Sequence, residues 1–385
     1  MKNNNQLGIY IHIPFCVQKC VYCDFLSAPA SEETKYSYVQ ALLKEIKKLS
    51  IDYKDRDVNS IFFGGGTPST LDPNLIVEIM RALRENFNIN EFAEVTLECN
   101  PGTLDEDKAY IYRNAGINRI SFGLQSVNND ELKMLGRIHS FEEFRDSFRL
   151  ARSYGFNNIN IDIMTGLPGQ SMESLIKTLK TVLAFKPEHI SAYGLILEEG
   201  TKLFENISSY PDIPTDEEDR DMYEESRRQI TKAKYRQYEI SNYAKKGYEC
   251  IHNLKYWNRE EYLGLGIGAA SFVNETRYSN IRDLNKYIEC MSKNDIKLED
   301  IWENVEKLGL KDAKEEFVFL GLRKIEGISI EEYKKNFNED IYRQYKNEIE
   351  SNINKGLLEI EENRLKLTRK GIDLSNSVMS DFIID

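Results

Sequence analysis

Residues 9–23 read Ile9-Tyr-Ile-His-Ile-Pro-Phe-Cys16-Val-Gln-Lys-Cys20-Val-Tyr-Cys23, and this stretch decides the fold. Its first seven residues are mainly apolar and β-branched or aromatic, which predicts a buried strand. Three cysteines then follow within eight residues, spaced Cys-x3-Cys-x2-Cys. The thiols are therefore expected on a loop at the C-terminal end of that strand.

The cysteines of this loop, Cys16, Cys20 and Cys23, are candidate metal ligands. Thiolates are soft ligands that select zinc, copper(I) or iron–sulfur clusters. A structural zinc site requires four protein ligands, and only His12 or Asp24 is close enough in sequence to be the fourth. Three thiolates on a four-iron cluster leave one iron open for a substrate. The loop is too short to pair its cysteines without leaving one over, so a disulfide is not expected. We favour a cluster, with zinc or unligated thiols as the alternatives.

The composition predicts a cytoplasmic protein. The chain has 385 residues, of which 41% are hydrophobic and 30% charged, enough for one large domain and one small one. Its net charge of −12 argues against a general nucleic-acid binder. The first six residues are polar and lack the apolar region of a signal peptide. No apolar stretch of the chain is as long as a membrane-spanning helix requires. Cys99, Cys250 and Cys290 are scattered, which is typical of a reducing compartment.

Six short apolar runs recur along the first half of the chain, each followed by a helical pattern. Hydrophobic strands separated by helices predict a parallel sheet covered on both faces. Six such units are too few for a closed eight-stranded barrel but suit an α/β fold with a partial (β/α)6 TIM-type barrel. A doubly wound sheet is the alternative, although no Gly-x-Gly-x-x-Gly follows the first strand. The runs are 9–15, 60–64, 94–98, 119–123, 158–163 and 189–196.

Helix starts are marked by capping residues. Asp72 stands before Pro73, and Ser171 precedes an apolar helical stripe, which predicts an N-cap at each place. Thr215 and Glu218 form a capping box for a charged helix that runs to about residue 234 and ends the barrel core.

Three parts are predicted along the chain. Residues 1–237 form the barrel, residues 238–303 connect it to the rest and carry a loop around His252 that packs on the barrel, and residues 304–385 form a smaller α+β domain. That domain is expected to be winged-helix-like, because helical patterns lead into an alternating hairpin. The helical patterns are 311–324, 330–337 and 341–355, and the hairpin is 356–368.

Polar residues and glycines end the predicted strands, where barrels of this kind hold their sites. The glycines of Gly64-Gly-Gly-Thr67 would let the backbone approach a ligand and offer its N–H and C=O groups, although the motif could also be a plain turn. Glu98 and Asp162 follow strands too, and either could simply cap the next helix.

A second motif, His252-Asn-Leu-Lys-Tyr256-Trp257, follows Cys250. Neutral histidine and thiolate are both haem axial ligands, and the two aromatic rings could stack on a porphyrin. Read alone, a histidine beside aromatic residues is more often a packed structural residue. The segment is predicted to be extended, which would turn Cys250 and His252 to the same side.

These motifs resemble those of a known family. The spacing Cys-x3-Cys-x2-Cys with Tyr22 before the last cysteine is similar to the signature of the radical S-adenosylmethionine (SAM) superfamily. The strings Tyr-Ile-His-Ile-Pro-Phe-Cys (10–16), Cys-Val-Tyr-Cys-Asp-Phe (20–25) and His-Asn-x-x-Tyr-Trp (252–257) resemble the HemW heme chaperones, relatives of oxygen-independent coproporphyrinogen III oxidase.

The resemblance implies a haem chaperone that carries a SAM-ligating [4Fe-4S] cluster and passes haem to acceptor proteins, such as respiratory ones. The alternative is a radical SAM enzyme, coproporphyrinogen III dehydrogenase. In the oxidases the third cluster cysteine is followed by Gly-Cys, whereas Asp24-Phe25 stands here. The oxidases also carry a long N-terminal extension, and fifteen residues precede Cys16. Both differences favour the chaperone, although enzymatic activity stays open.

The resemblance also implies a SAM pocket. Arg137 would clamp the SAM carboxylate with its planar fork, Glu98 and Asp162 would accept hydrogen bonds from the ammonium and the ribose, and the glycine loop would receive the amino group. The implied SAM residues are Tyr10, Tyr22, Gly65, Gly66, Thr67, Glu98, Gln125, Arg137, Asp162, Gly194 and Ala270, and the implied haem residues are Cys250, His252, Tyr256 and Trp257. His12, His139 and His189 are expected to be structural or inert. Peripheral membrane association, a homodimer and the haem axial ligand are left open.

Overall fold

The computed structural model of the protein describes residues 5–384. Residues 1–4, which enter the argument against a signal peptide, lie outside that range. Between residues 5 and 384, no helix is both long and apolar enough to cross a membrane.

Six parallel strands lie side by side in chain order at the centre of the structure. A doubly wound sheet would reverse its strand order at a switch point, so that alternative is wrong and the predicted partial barrel is confirmed. The strands are β1 (Gln6–Ile13), β2 (Asp57–Gly65), β3 (Asn88–Cys99), β4 (Arg119–Gln125), β5 (Ile159–Thr165) and β6 (His189–Gly194). Each predicted run overlaps one of these strands. Both β1 and β6 end two residues before the predicted runs do, β5 begins one residue later than predicted, and β3 begins six residues earlier.

Helices cover the outer face of these strands. Tyr38, Leu42 and Ile46 on the first helix are buried in one core with the outward residues of β1. The predicted caps are confirmed, since the side chains of Asp72, Ser171 and Thr215 each accept a backbone N–H of the helix they precede. The helices are α1 (Glu32–Tyr53), α2 (Pro73–Asn86), α3 (Glu106–Ala115), α4 (Asn129–Met134), α5 (Phe141–Ser153), α6 (Met172–Phe185), α7 (Lys202–Glu205) and α8 (Asp216–Lys232), with short 3-10 helices at Pro68–Thr70 and Ile207–Ser209.

The inner face of the barrel is polar, unlike the outer one. Successive strand residues point to opposite faces, so Ile9 and Ile11 meet the helices while Tyr10 turns inward, with its ring 6.3 Å from that of Phe62. The strand register continues this inner face around the sheet. It carries a row of polar side chains, each less than a tenth exposed: Ser60, Glu94, Arg119, Asn160 and His189.

Residues after α8 extend the same sheet at both edges. At one edge β8 pairs antiparallel with β6, and at the other β9 pairs parallel with β1 and leads into three antiparallel strands. Strand β12 crosses the proposed boundary between residues 303 and 304, and the division into three parts stays a prediction. The added elements are β7 (Arg236–Gln237), β8 (Asn242–Ala244), α9 (Ile251–Trp257), β9 (Tyr262–Leu265), β10 (Ala270–Val273), β11 (Thr276–Asn280), α10 (Leu284–Ser292), a 3-10 helix at Leu298–Ile301 and β12 (Trp302–Lys307).

The segment around His252 is helical, so the prediction of an extended segment is wrong. Cys250 is the N-cap of α9 but makes no side-chain capping bond. Instead the carboxylate of Glu94, on β3, accepts the backbone N–H groups of Ile251 and His252, both at 3.1 Å. The first N–H groups of a helix need such partners. Here the partner lies more than 150 residues away in sequence, where no local pattern could reveal it.

The C-terminal residues form a smaller unit with its own core, built around Val318, Leu322 and Tyr333. The predicted hairpin is confirmed as β14 and β15, whereas the third predicted helix is broken at Tyr345 into two. Glu316 ties this unit to the barrel through Arg259 at 2.8 Å and Arg277 at 2.6 Å. The elements are α11 (Leu310–Gly321), β13 (Ile328–Ser329), α12 (Ile330–Phe337), α13 (Ile341–Gln344), α14 (Lys346–Asn354), β14 (Leu358–Glu361), β15 (Arg364–Leu367), α15 (Arg369–Asp373) and α16 (Ser375–Ser380).

Glu45 of α1 is a buried acceptor on which the added strands depend. Its carboxylate accepts from the Gly266 N–H at 2.9 Å, from Asn280 Nδ2 at 2.6 Å and from the Tyr287 hydroxyl. We expect Glu45→Ala to lower the free energy of unfolding by about 3–5 kcal/mol, because three buried donors lose their partner. Tyr287→Phe, which removes one donor only, should cost about 1 kcal/mol. Urea unfolding measures both, and a loss below about 1 kcal/mol for Glu45→Ala would contradict this role.

Candidate functional site

The cysteine loop is fixed by backbone hydrogen bonds to several elements. At its base the Cys16 N–H donates to the Ala28 carbonyl at 3.2 Å. At its tip the Val21 N–H donates to the Leu135 carbonyl at 3.1 Å, and the Leu203 N–H donates to the Val21 carbonyl at 2.8 Å. The loop therefore lies between the end of β1, the turn after α4 and α7. Its three thiols are half-buried and form no disulfide with one another.

Two of the thiols accept hydrogen bonds from side chains. Thr67 Oγ1 donates to Cys16 Sγ and Arg137 Nη1 donates to Cys20 Sγ, each at 3.6 Å. A hydrogen bond from a cation favours the thiolate form, which is the ligand form. Burial raises the pKa of Cys23, so a metal that coordinates this thiol must displace its proton.

The three thiols have the chemistry of a metal or cluster site, because thiolates are soft ligands. Between residues 5 and 384, no group of three His, Cys, Asp or Glu side chains is arranged to hold one metal ion. A [4Fe-4S] cluster would bind each cysteine through a different iron. The choice between a cluster and zinc stays a prediction.

The glycine loop after β2 packs against the cysteine loop. Gly65 has a φ of +112°, and a Cβ there would lie 2.6 Å from the His12 ring. A Cβ on Gly66 would lie 2.7 Å from the Phe15 carbonyl oxygen. The N–H groups of Gly66 and Thr67 donate to Ile13 and Phe15, both at 2.8 Å. These N–H groups are therefore used within the chain, and the approach of a ligand to the carbonyl groups of the loop stays a prediction.

Two half-buried carboxylates lie inside the barrel at the same end. The Glu98 carboxylate accepts a hydrogen bond from the Gly65 N–H. The Asp162 carboxylate accepts hydrogen bonds from Asn160 Nδ2 at 2.7 Å and from Ser121 Oγ at 3.3 Å. Burial, and secondly the charge of Asp162, raise the pKa of Glu98 to about 8. Burial also raises the pKa of Asp162. The helices that follow are capped by Asp105 and Ser171, so the reading of both carboxylates as helix caps is wrong.

Arg137 joins the cysteine loop to the strand ends. Besides the bond to Cys20, its guanidinium donates to the Gly123 carbonyl at 2.5 Å and to the side chain of Asn100. Its Nε is buried and has no hydrogen-bond partner among the described residues. The fork is thus held in place on one side while one donor stays free for a ligand.

Gln125 adopts a strained backbone at the end of β4. Its φ is +70°, rare for a residue with a long side chain, and it is 5% exposed. The Tyr193 hydroxyl donates to Gln125 Oε1 at 3.3 Å, and Tyr22 packs in the same small cluster as Tyr193. Strain of this kind is concentrated at functional sites.

The remaining predicted SAM residues lie around the same end of the sheet. The Tyr10 hydroxyl hydrogen-bonds to His12 Nδ1 at 3.1 Å, and Gly194 is the last residue of β6. Ala270 is exposed and begins β10, two strands away from β1. Ala270 follows the turn at Gly266, and this turn hydrogen-bonds to the Tyr38 hydroxyl. The same hydroxyl donates to the His12 carbonyl of β1 at 2.6 Å.

The predicted haem residues lie at the opposite end of the barrel. His252 is 1% exposed, and its Nδ1 bonds to Ser60 Oγ at 3.0 Å while its Nε2 bonds to the Tyr256 hydroxyl at 2.9 Å. Burial lowers the pKa of His252 to about 3. Cys250 is fully buried and donates to Glu94 Oε1 at 3.4 Å, and burial raises the pKa of its thiol to about 12.

The two aromatic residues of this motif face the C-terminal unit. The Tyr256 ring meets that of Tyr262 edge-on at 4.6 Å, and the Arg323 guanidinium lies 4.3 Å from the Trp257 ring. A pocket of about 170 Å³ is lined by both residues and by Phe272 and Leu320. The structure therefore does not bring the haem motif to the cysteine loop.

Arg119 is an inner residue that the sequence did not single out. It is 2% exposed, its Nη1 donates to Thr96 Oγ1 at 3.4 Å, and its Nε has no hydrogen-bond partner within residues 5–384. Its positive charge lowers the pKa values of Glu98 and Asp162, against the larger effect of burial. The sequence signal for Arg119 was a charged residue at the start of an apolar run. Charged residues also occur at the ends of ordinary strands, so this signal does not distinguish it.

Known proteins match this chain over nearly its whole length. The radical SAM superfamily model matches residues 10–182, and the HemN C-terminal domain model matches residues 308–374. The heme chaperone HemW of Lactococcus lactis is 34% identical over 378 residues, covering 98% of this chain and 97% of the relative. The chain belongs to the HemW family.

Two further relatives agree with this assignment. HemW of Bacillus subtilis is 35% identical, covering 97% of this chain and 98% of the relative, and HemW of Escherichia coli is 42% identical over 68% and 69%. The solved structure of coproporphyrinogen III oxidase (HemN) from Escherichia coli, a radical SAM enzyme, superposes with a TM-score of 0.85 at 24% identity, over 98% of this chain and 89% of that one. This chain thus shares the fold of that oxidase.

The burial of His252 should make the protein sensitive to acid. Its pKa is about 3 in the folded protein against an ordinary 6.5, so the unfolded chain binds the extra proton and stability falls as pH drops below 6.5. Between pH 7 and 5.5 we expect His252 to lower the stability of wild type by roughly 1 kcal/mol relative to His252→Gln. Urea unfolding of both proteins across this range measures the difference.

Glu98 has the opposite effect, because its raised pKa favours the folded protein as pH falls below about 8. That contribution is common to both proteins and cancels in the comparison. Parallel pH profiles for wild type and His252→Gln would show that His252 titrates normally in the folded state.

Proposed function

We propose that the protein is a haem chaperone, which binds a [4Fe-4S] cluster and SAM at the C-terminal end of the barrel, binds haem and passes it to acceptor proteins. The observation that carries this proposal is the loop of three half-buried thiols, two of them hydrogen-bonded by Thr67 and Arg137. Membership of the HemW family supports it, because relatives that match this chain over nearly their whole length are named heme chaperones.

Cys16, Cys20 and Cys23 would hold the cluster, which when bound supplies one electron to the sulfonium of SAM. The chain itself binds, orients and shields the reactants. Arg137 has a free buried Nε beside Cys20, which suits a charge-assisted bond to the SAM carboxylate.

The two inner carboxylates suit the cationic part of SAM. Glu98 would accept from its amino group and Asp162 from its ribose hydroxyls. Tyr10, Tyr22, Gly65, Gly66, Thr67, Gln125, Gly194 and Ala270 complete the proposed pocket. Because the barrel interior is closed by buried side chains below this point, the pocket would open only toward the cysteine loop.

For haem, His252 is the proposed axial ligand, with Cys250 beside it and Tyr256 and Trp257 against the macrocycle. A neutral imidazole can ligate iron, and the low pKa of His252 keeps its ring neutral at pH 7. In the structure, however, both ring nitrogens are bonded within the chain. Ligation of iron through one nitrogen therefore requires one of these two bonds to be given up, while the other nitrogen can keep its partner.

The proposed function is tested by haem transfer from the anaerobically reconstituted protein. Wild type should bind about four irons per chain, bind haem, pass it to a haem-free acceptor, and leave coproporphyrinogen III unchanged. Cys16, Cys20 and Cys23 changed together to Ala should lose the cluster and keep haem binding, since the two sites lie at opposite ends of the barrel. Turnover of coproporphyrinogen III, or no haem transfer by wild type, would overturn the proposal.

SAM binding should depend on the ionisation of Glu98. Since its pKa is about 8, SAM would have to displace a proton at neutral pH, and affinity should rise about five- to tenfold between pH 7 and 8.5. Glu98→Gln should bind SAM more weakly and lose this part of the pH dependence. The amino group of SAM titrates in the same range, so the comparison of wild type with the variant isolates Glu98. Identical pH profiles would refute the assignment.

A further inference from the structure

Helix α9 is packed so tightly into the base of the barrel that haem cannot reach His252 in this conformation. A single Cβ added to Gly8 would lie 2.8 Å from Lys255 Cδ, 3.2 Å from Ser60 Oγ and 3.4 Å from His252 Cε1. Space that does not admit one methyl group does not admit a porphyrin. The neighbouring pocket of about 170 Å³ adjoins Tyr256 and Trp257 but is not lined by His252.

Two groups of the barrel wall, Glu94 and Ser60, hold the N-terminal end of α9 in place, and a further bond to His252 comes from within the helix. The Glu94 carboxylate accepts the Cys250 thiol at 3.4 Å and the N–H groups of Ile251 and His252 at 3.1 Å each. Ser60 holds His252 Nδ1, and Tyr256, one turn along the same helix, holds Nε2. Glu94 and Ser60 face each other on neighbouring strands, so both contacts belong to one small part of the barrel wall.

We propose that this packed helix is an autoinhibited state of the haem site, and that Ser60 and Glu94 control access of haem to His252. This inference rests on the proposed role of His252 as ligand. Haem ligation requires the first turn of α9 to leave the barrel, which breaks the bonds to Ser60 and Glu94. The observed affinity for haem is then the intrinsic affinity multiplied by the fraction of open molecules.

The same competition supplies a route for haem release. When an acceptor draws the iron away from His252, α9 can regain its bonds to Glu94 and Ser60, and the packed helix then opposes rebinding. A carrier that holds its cargo only in a strained, open conformation gives it up more readily. The bonds from Ser60 and Glu94 to α9 together act as a lock on the haem site. Weakening this lock should thus strengthen haem binding and slow haem transfer, whereas loss of an ordinary structural contact would weaken binding.

The test is haem titration of the reconstituted full-length protein carrying Ser60→Ala, which leaves His252 Nδ1 without its partner and changes no proposed ligand. An unsatisfied buried nitrogen destabilises the closed state, so haem affinity should rise about tenfold and transfer should slow. Ser147→Ala is the matched control, because Ser147 is also buried and accepts one backbone N–H, from Gly102 on the outer side of the barrel. Its haem affinity should equal that of wild type.

Two further measurements identify the cause. In Ser60→Ala/His252→Ala the gain should disappear. Haem should also speed amide hydrogen exchange at Ile251 and His252, whose N–H groups lose Glu94 on opening. Where Ser60→Ala fails to fold, Glu94→Gln weakens the same anchor at nearly constant size and should also raise affinity.

The outcomes separate this inference from the proposed function. Unchanged or lower haem affinity in Ser60→Ala, a gain that persists without His252, or protected amides at 251–252 in the haem complex each overturn the lock while haem transfer by wild type stands. No haem binding by either wild type or Ser60→Ala removes the proposed function together with the lock.

Discussion

The structure depends on one buried positive charge inside a barrel whose inner wall carries carboxylates. Arg119 is 2% exposed, and its charge acts on Glu94 and Cys250 at one end of the barrel and on Asp162 at the other. Burying several carboxylates without a cation would be costly. Arg119 offsets that cost, and so allows the interior to be polar from the cysteine loop down to α9.

The polar interior of the barrel presents different groups at its two ends. At the C-terminal ends of the strands, Arg137 contacts the Cys20 thiol, and Glu98 and Asp162 lie inside the barrel at the same end, in the place where barrels of this architecture hold their sites. At the other end, Glu94, His189 and Ser60 form a bonded base on which α9 sits. Within the chain, the haem motif is thus a structural part of the barrel base, and its proposed role in haem binding requires a change of conformation.

The glycine loop shows that packing alone can require glycine at a strand end. His12 and Phe15 approach within 3 Å of where a Cβ of Gly65 or Gly66 would be. The loop therefore packs directly against residues 12–15, next to the first cysteine, whether or not its backbone also meets a ligand.

The sequence by itself determined the features that depend on local order. These were the strand and cysteine loop at 9–23, the parallel order of the barrel, the caps at Asp72, Ser171 and Thr215, and the C-terminal hairpin. Local patterns suffice there because hydrophobic periodicity and capping act over a few residues. Only the tertiary structure decided that residues 251–257 are helical, since the carboxylate that caps them comes from β3. It also decided that His252 is enclosed and that Arg119 is the central charge, because burial is set by which strands and helices meet in space.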